Sequence, residues 1–504
     1  SKSYYNGFNV DGRFKDMLIA GPLAATVTKP TTPSAPTIAN ADFELTTDWL
    51  GGHGTRSATF AHGGTYSWRI DDVVAPGNED YQDVSGYKQG CIYTFTCWVR
   101  STDGLQTAKI GINDGADTVY SSTTTSSTWV QLSVTTTLWP GATRCRLVLN
   151  CTGATTDYCY FDDAAITISA ITVGTPTAFS DFNGQLYCAF GNILAKLNGT
   201  GTGFTFVANL IHNINDLEPF VDSNLYVALD DGTVIENCED AWNELVDTDV
   251  TSSLDTSDFK AGSGSVKLVC ADPLGAGDIA ATEAISSTDL HNYTGLLFWI
   301  KSSVALSAGD WQILLDDTTQ CASPVESINI PALSAGIWTK VRVALANPGS
   351  DTAIISIGLK QVIDKGFMTL WIDDVKACNK YYYMSNGEVL TQSTLSDGYA
   401  NYFKTVGSTL WKGLWPNEMK SATDATNTGT WSGATTVGST DYDITELVEE
   451  SGSIYIMKED MPYYINSAGT VVRLIPEHKV LTCSTSGKNA IAWEAKIYIP
   501  AGTQ

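Results

Sequence analysis

The stretch from Phe179 to Glu236 constrains the fold most. Short apolar runs (QLYCAF, ILAKL, FTFVANL, NLYVALD) follow one another, separated by Asn183-Gly184, Asn198-Gly199 and Asp231-Gly232. These dipeptides accept the positive φ that tight hairpins require, so the stretch predicts meandering antiparallel strands. The pattern stops after Glu236 and resumes at Tyr381 as YYYMSNGEVLTQSTL, with another such turn at Asn386-Gly387. A meander that breaks off and resumes predicts a guest domain inserted between two of its strands.

Composition agrees with an all-β reading. Of 504 residues 43% are apolar and 17% charged, enough to fill sizeable cores. Thr, Ser and Gly are abundant and helical periodicity is nearly absent, with DITELVEES (443–451) the one stretch open to a helical reading. The chain length predicts roughly three or four domains. The meandering segments resemble blades of a β-propeller, four-stranded units of roughly 40–45 residues. Residues 1–39, 171–236 and 380–504 carry this idiom and together suffice for roughly five blades. In the first of these, Asn6-Gly7 and Asp11-Gly12 predict a strand pair. Residues 1–20 are expected to pair with the closing strand IYIPAGTQ, and TKPTTPSAPT (28–37) reads as an extended linker.

The remaining chain is duplicated. Five features of residues 40–170 recur in order within 236–378: NADFELTTDW and ENCEDAWNEL, GGTYSWRI and GSGSVKLV, YTFTCWVRS and YTGLLFWIKS, STWVQLSV and GIWTKVRV, CYFDDAAI and TLWIDDVKA. Each segment alternates apolar and polar residues, as strands with one face in a core do. The set resembles the jelly-roll carbohydrate-binding modules appended to glycoside hydrolases and adhesins. The resemblance is carried by Asp42-Phe43-Glu44 with Trp49, the Gly-Gly-x-Tyr-Ser turn at 63–67, the central Trp-bearing strand and Asp162-Asp163. It implies jelly rolls at 40–170 and 237–379, the second inserted within the propeller-like part.

The same resemblance implies a structural calcium held by an acidic residue of the opening element and an aspartate of the last strand. By position these are Glu44 with Asp162, and Glu239 with Asp373; the alternative is that the acidic pairs cap turns or face solvent. Sugar binding calls for aromatic faces beside hydrogen-bonding groups. The candidates are Trp49, Trp68, Tyr81, Tyr87 and Tyr120 with Arg69, Asp71 and Asn113, and in the second copy Trp311 followed by Asp316 and Asp317. Core packing competes with this role for each. Trp98 and Trp299 occupy matching places in the most apolar strand and are expected in the cores. Trp129 and Trp338 are expected to pack at strand starts.

Other classes of function leave no signature. There is no G-x-S-x-G, H-E-x-x-H or P-loop, and the five histidines are scattered. Gly199-Thr-Gly-Thr-Gly203 precedes a strand rather than a helix, which makes it a hairpin and not a phosphate loop. A glycosidase needs only two carboxylates, and Glu218, Glu446 and Glu494 lie in the propeller-like segments. Eleven cysteines, without metal-ligand spacing, read as small buried hydrophobes with a disulfide framework as the alternative. The net charge of −26 disfavours nucleic acid and anionic lipid. No apolar run reaches the ~18 residues a membrane helix needs. SKSYYNGFNV lacks the layout of a signal peptide, so either a leader has been removed or release is by lysis, as for a phage particle.

The reading is therefore an all-β virion or tail-associated adhesin, non-catalytic, whose jelly rolls bind surface polysaccharide on a propeller-like platform. Its expected partners are other virion or tail proteins and further copies of itself, on a virion or extracellular surface. A secreted glycan-degrading enzyme with a catalytic propeller is the first alternative. A purely structural subunit of a surface layer or filament is the second.

Overall fold

Asn183 and Gly184 both have positive φ (54° and 71°) and close a two-residue hairpin between Phe182 and Gln185. Such turns recur throughout a chain that the computed structural model describes at residues 10–11, 19–20, 27–71, 78–153, 158–230, 232–271, 274–385, 388–466, 469–474, 486–493 and 495–500. The described residues are strands and loops with two short 3-10 turns, Thr319–Cys321 and Pro348–Ser350. DITELVEES, open to a helical reading, contains the strand Ile444–Glu450. Two compact units divide the chain, Ser1–Ile211 and His212–Gln504.

The first unit holds a two-sheet sandwich. Its strands are β1 (Gly54–Ser57), β2 (Ser67–Asp71), β3 (Asn78–Asp83), β4 (Ile92–Ser101), β5 (Thr107–Asn113), β6 (Thr118–Tyr120), β7 (Val130–Thr137), β8 (Arg146–Thr152) and β9 (Tyr158–Ile168). One sheet runs β1-β2-β9-β4-β7 and the other β3-β8-β5-β6, all antiparallel. Strict alternation makes the core: Tyr93, Phe95, Cys97 and Val99 of β4 are buried while Thr94, Thr96 and Trp98 face outward. A four-stranded meander follows, β10 (Pro176–Phe182), β11 (Gln185–Phe190), β12 (Ile193–Leu197) and β13 (Phe204–Asn209). Its Cys188, Phe190, Ile193 and Phe206 share one buried cluster with Phe95, Leu149 and Phe161 of the sandwich. At Gly90 a Cβ would fall 1.6 Å from the Asn209 carbonyl oxygen, so only glycine lets β13 approach there. The 28–37 segment is extended and tied down: Thr28 bridges Gly203, Lys29 Nζ donates to the Gly174 carbonyl (2.7 Å) and Ile171 N donates to Thr32 Oγ1 (3.1 Å).

The second unit opens with β14 (Ile214–Pro219) and β15 (Leu225–Leu229). The chain then enters a second sandwich before completing that sheet. Its strands are β16 (Val250–Asp255), β17 (Ser265–Cys270), β18 (Ile279–Thr288), β19 (Tyr293–Ser302), β20 (Trp311–Asp316), β21 (Glu326–Asn329), β22 (Thr339–Ala344), β23 (Ile354–Gln361) and β24 (Met368–Asn379). The nine strands take the orders β16-β17-β24-β19-β22 and β18-β23-β20-β21, and a two-residue strand, Leu245–Val246, adds to the outer edge of β18. These are the orders of the first sandwich with every strand advanced by fifteen, which is how the sequence duplication reads in three dimensions. After β24 the interrupted sheet is finished by β25 (Tyr382–Met384) and β26 (Leu390–Gln392), in the order β14-β15-β25-β26. Asp231-Gly232 is therefore not a hairpin within the meander: Val234–Glu236, just beyond it, pairs with β24 at the mouth of the insertion. Asp231 itself, and the Asn386-Gly387 turn, lie outside the described residues.

Two further four-stranded meanders complete the unit. The first comprises β27 (Tyr402–Val406), β28 (Thr409–Leu414), β29 (Glu418–Ala422) and β30 (Thr435–Thr436). The second comprises β31 (Ile444–Glu450), β32 (Ser453–Lys458), β33 (Tyr463–Ile465) and β34 (Val471–Arg473). A strand pair, β35 (Ile491–Trp493) and β36 (Lys496–Tyr498), follows. Phe220, Tyr226 and Tyr381 of the interrupted sheet pack with Phe403 and Leu410 of the next. No strand pairing among the described residues joins one meander to another. Of the expected pairing across the termini, Val10–Asp11 pairs with Ile19–Ala20 instead, β35 pairs with β36, and most of residues 1–20 lie outside the described ones.

Candidate functional site

The outward face of sheet β3-β8-β5-β6 is laid out by register. Leu147, Leu149 and Cys151 of β8 enter the core, so Arg146, Val148 and Asn150 stand on the other side. Arg146 is opposite Asp83 and Asn113, Val148 opposite Tyr81 and Gly111, Asn150 opposite Glu79 and Lys109. Beyond β5, Asn113 faces Thr118 and Gly111 faces Tyr120. The sequence candidates Tyr81, Tyr120 and Asn113 thus share one face.

Side chains lock this face. Arg146 donates two 2.7 Å hydrogen bonds to Asp83 and lies 3.6 Å over the Tyr81 ring. The Arg146 bonds hold the Asp83 carboxyl below its usual range, and Asp83 in turn raises the guanidinium. Arg144 Nε donates to Asn113 Oδ1 (2.7 Å), whose Nδ2 donates to Thr118 Oγ1 (2.7 Å). Tyr120 OH donates a very short hydrogen bond to Glu79, which also accepts Asn150 Nδ2 at 3.1 Å. Burial, with Glu79 beside it, pushes the Tyr120 phenol up to about 12. Lys109 lies 3.7 Å over the Tyr120 ring, and that ring lies across Gly111, where a Cβ would meet it at 2.9 Å. The result is a hollow of 380 Å³ lined by His53, Glu79, Tyr81, Asn113, Arg144 and Arg146 among others. Aromatic edges, fixed guanidinium and amide donors, and carboxylate acceptors are the groups that hydrogen-bond hydroxyls and pack against sugar rings.

The other aromatic candidates lie elsewhere. Trp49 and Trp68 are buried in the first core, where their indole N–H groups donate to the Asn40 carbonyl (3.3 Å) and Asp80 Oδ2 (2.7 Å). Trp311 is fully buried in the second core. None of the three presents a ring to a ligand, because each falls on the inward parity of its strand or turn. Tyr87 packs partly buried against the first core with its hydroxyl toward the Ala142 carbonyl (3.5 Å). Parity also overturns the reverse expectation: Trp98 is outward and stacks on His62 at 4.0 Å, and Trp299 lies half-buried under Lys260 and Lys340. Trp129 sits beside His62 at 5.7 Å, and Trp338 is buried with its N–H on Asp258 (2.6 Å). Arg69 lies over Tyr158 at 4.3 Å; the Asp71 side chain is outside the described residues.

The equivalent face of the second sandwich is closed. The turn 317–323 folds across it: Cys321 N donates to Ser356 Oγ (3.2 Å), Ser323 N to Asp316 Oδ2 (2.8 Å), and Ser356 Oγ to Glu244 Oε2 (2.6 Å). Thr282, Asp316, Cys321 and Ser356 are fully buried beneath or within it. Two consecutive left-handed residues, Gln320 (φ 62°) and Cys321 (φ 46°), make the turn.

The acidic residues expected to hold calcium clasp a loop in each copy. Glu44 Oε1 accepts Thr65 N (2.6 Å) and Tyr66 N (3.0 Å), and Asp162 Oδ2 accepts His62 N (2.7 Å) and Gly63 N (3.1 Å). In the second copy Glu239 Oε1 accepts Ser263 N (2.8 Å), and Asp373 Oδ2 accepts Lys260 N (2.6 Å) and Ala261 N (2.9 Å). The amides of Tyr66 and Thr65 hold the Glu44 carboxyl below its usual range, whereas burial pushes Asp162 up to about 6 and raises Asp373. Asp373 Oδ1 is enclosed with no hydrogen bond, a hard oxygen suited to a cation. No group of three or more His, Cys, Asp or Glu side chains among the described residues is placed to hold a metal, so the two carboxylates of each copy would need carbonyl and water ligands to complete a calcium shell.

A second polar cluster lies on the leading strands of the second unit's meanders. Lys404 of β27 donates to Glu218 Oε2 of β14 (2.7 Å), and Glu218 Oε1 accepts Thr405 N (2.8 Å). Asp216 Oδ2 accepts Phe403 N (2.8 Å), and Glu446 of β31 accepts Asn489 N (3.2 Å). Burial raises Asp216 and Glu218 and pushes Glu446 up to about 8; Glu218 and Asp216 raise Lys404 despite its burial. Glu218 and Lys404 border a cavity of 290 Å³. Glu494 lies outside the described residues. The ten described cysteines are buried, and the Cys151 and Cys159 sulfurs lie 2.6 Å apart.

No protein-family model matches this chain, and no curated protein matches it. Among solved structures, TmCBM61 in complex with β-1,4-galactotriose aligns at 14% identity and TM-score 0.23, over 27% of this chain and 99% of that one. The CBM22-1–CBM22-2 tandem domain of Paenibacillus barcinonensis Xyn10C aligns at 11% identity and TM-score 0.23, over 71% of this chain and all of that one. The enzymatically active domain of bacteriophage CBA120 tailspike protein 4 aligns at 15% identity and TM-score 0.23, over 27% of this chain and 21% of that one. At these scores the likenesses add no weight to the reading of the site.

Proposed function

We propose that this chain is a non-catalytic adhesin of a virion, tail or other extracellular surface, and that the β3-β8-β5-β6 face of its first sandwich binds a surface glycan. The observation that carries this reading is the contrast between duplicated faces. The first keeps a hollow of 380 Å³ among Tyr81, Glu79, Asn113, Arg144 and Arg146, whereas the second is covered by its own turn. In this reading the second sandwich is structural, and the meanders are blades of a propeller-like platform. Packing between the β14 and β27 sheets supports the platform. Calcium at Glu44 with Asp162 and at Glu239 with Asp373 is part of the same proposal, supported by the enclosed, unpartnered Asp373 Oδ1.

The test is affinity electrophoresis of the intact chain through gels containing a panel of polysaccharides. Retardation by at least one polysaccharide, lost in Tyr81→Ala and Arg144→Ala, is the expected result. Retardation by none, or equal retardation of both variants, would remove the glycan-binding reading and leave a structural subunit.

A second reading, a glycan hydrolase, is favoured by one observation: Glu218 and Glu446, carboxyls with different partners, stand on leading strands and both act on Lys404, and Glu218 borders a cavity. Release of reducing ends from the same panel, abolished by Glu218→Gln, would establish it in place of the non-catalytic reading.

A further inference from the structure

Asp351 and Glu326 form a buried acidic pair in the second sandwich that none of the roles above uses. Glu326 opens the edge strand β21 and is 2% exposed; Asp351 follows the Pro348–Ser350 turn and is fully buried. Glu326 is held in place, its Oε1 accepting Asn347 N (2.7 Å) and its Oε2 accepting Ala346 N (3.1 Å). The Asp351 backbone is equally fixed, its N–H donating to the Pro348 carbonyl (3.1 Å) and its carbonyl accepting Leu290 N (2.7 Å). Both side-chain oxygens of Asp351 are nevertheless enclosed without a donor group, their polar neighbour being the Glu326 carboxyl. We propose that Asp351 and Glu326 hold a divalent cation, calcium by its chemistry, at a site separate from Glu239 and Asp373.

Two acceptor groups that meet away from water repel unless something positive lies between them. A proton shared by the two acids would satisfy one oxygen of Asp351 and leave the other a buried acceptor with no donor. A cation engages both oxygens of Asp351, and each Glu326 oxygen keeps a lone pair beyond the amide it accepts. Two carboxylates match a divalent charge, and calcium tolerates bidentate carboxylates and irregular shells completed by carbonyls and water. No lysine or arginine among the described residues acts on the Asp351 carboxyl.

The experiment uses the intact chain stripped with chelator, dialysed against calcium chloride at pH 7.5 and analysed for bound metal, alongside Asp351→Asn, Glu326→Gln and the double variant Glu44→Gln/Glu239→Gln. The expected result is about one calcium fewer per chain in Asp351→Asn and in Glu326→Gln than in the parent. The double variant should lose calcium again when Asp351→Asn is added, which separates this site from the loop-clasping carboxylates. Calcium should also raise the parent's melting midpoint, because a ligand that binds only the native state stabilises it. If Asp351→Asn does not fold, Glu326→Gln and the parent's own stoichiometry decide. A parent that binds no calcium, or variants that bind as much as the parent, would overturn the site and leave the shared proton.

Discussion

Trp68 Nε1 donates to Asp80 Oδ2 at 2.7 Å, and the other oxygen of Asp80 accepts the backbone N–H of His53 at 3.0 Å. His53 lines the hollow of the first sandwich. An indole in the core therefore positions a residue of the hollow through one buried carboxylate, although the indole itself does not line it. Trp68→Phe keeps most of the apolar volume and strands Asp80. It should lower stability by about 1–3 kcal/mol, the cost of an unsatisfied buried polar group, and weaken polysaccharide retention in proportion to the displacement of His53. Urea unfolding and affinity electrophoresis measure the two effects separately.

Tyr120 and Tyr81 should separate from Trp311 in the same assays. Tyr81→Ala and Tyr120→Ala are expected to reduce glycan affinity about tenfold or more, which corresponds to about 1.4 kcal/mol each, with small changes in melting. Trp311→Ala, which empties part of the second core, should instead cost about 3–5 kcal/mol of stability.

Because β15 pairs with β25 across the insertion, the ends of the second sandwich lie side by side. Replacing residues 234–380 with a short Gly-Ser bridge should leave the remaining meanders folded, since the Tyr226–Tyr383 pairing needs no chain from the insert. Far-ultraviolet circular dichroism and a cooperative melt of the shortened chain check this; an aggregated product would count against it.

Glu446 gives a pH dependence with a definite sign. Its folded pKa, about 8, is above the unfolded value, so the folded chain holds an extra proton between about pH 4.5 and 8. Stability from this group is full below that window and is lost as pH rises through it. Glu446→Gln should therefore melt several degrees higher than the parent at pH 8.5 while differing little at pH 5, as read by calorimetry across the range.

The cysteines should be inert in the native state. Burial pushes Cys91, Cys145, Cys188, Cys270 and Cys321 up to about 12, so the nucleophilic thiolate is scarce. An aromatic disulfide reagent should label none of these five thiols before denaturant is added, and all five afterwards.

Strand content, the duplication and the broken meander were legible because each is written in short-range pattern: period-two alternation, Asn-Gly turns and matched segments in order. Parity was the harder matter. Trp68 and Trp98 both sit in strands, and only the register against β9 shows that one faces in and the other out. The basic and amide side of the proposed face was present as the alternation in RCRLVLNC, where Arg144, Arg146 and Asn150 share a parity, but it carries no aromatic to mark it beside the tyrosines. The closed second face was illegible, since nothing in DDTTQCAS announces two left-handed residues in succession. Nor does Asp351 advertise its partner, which is 25 residues away and meets it only when β21 and the turn before β23 are in place.

Under the proposed function, the turn 317–323 sets how many sandwich faces a chain can offer. Two sandwiches of one descent would offer two faces, but the Cys321–Ser356 contact occupies one of them, so of these two equivalent faces only that of the first sandwich stays open. A surface bearing these chains would count its contacts by the number of polypeptides and not by the number of sandwiches. Gaining a second contact per chain would take the loss of one seven-residue turn.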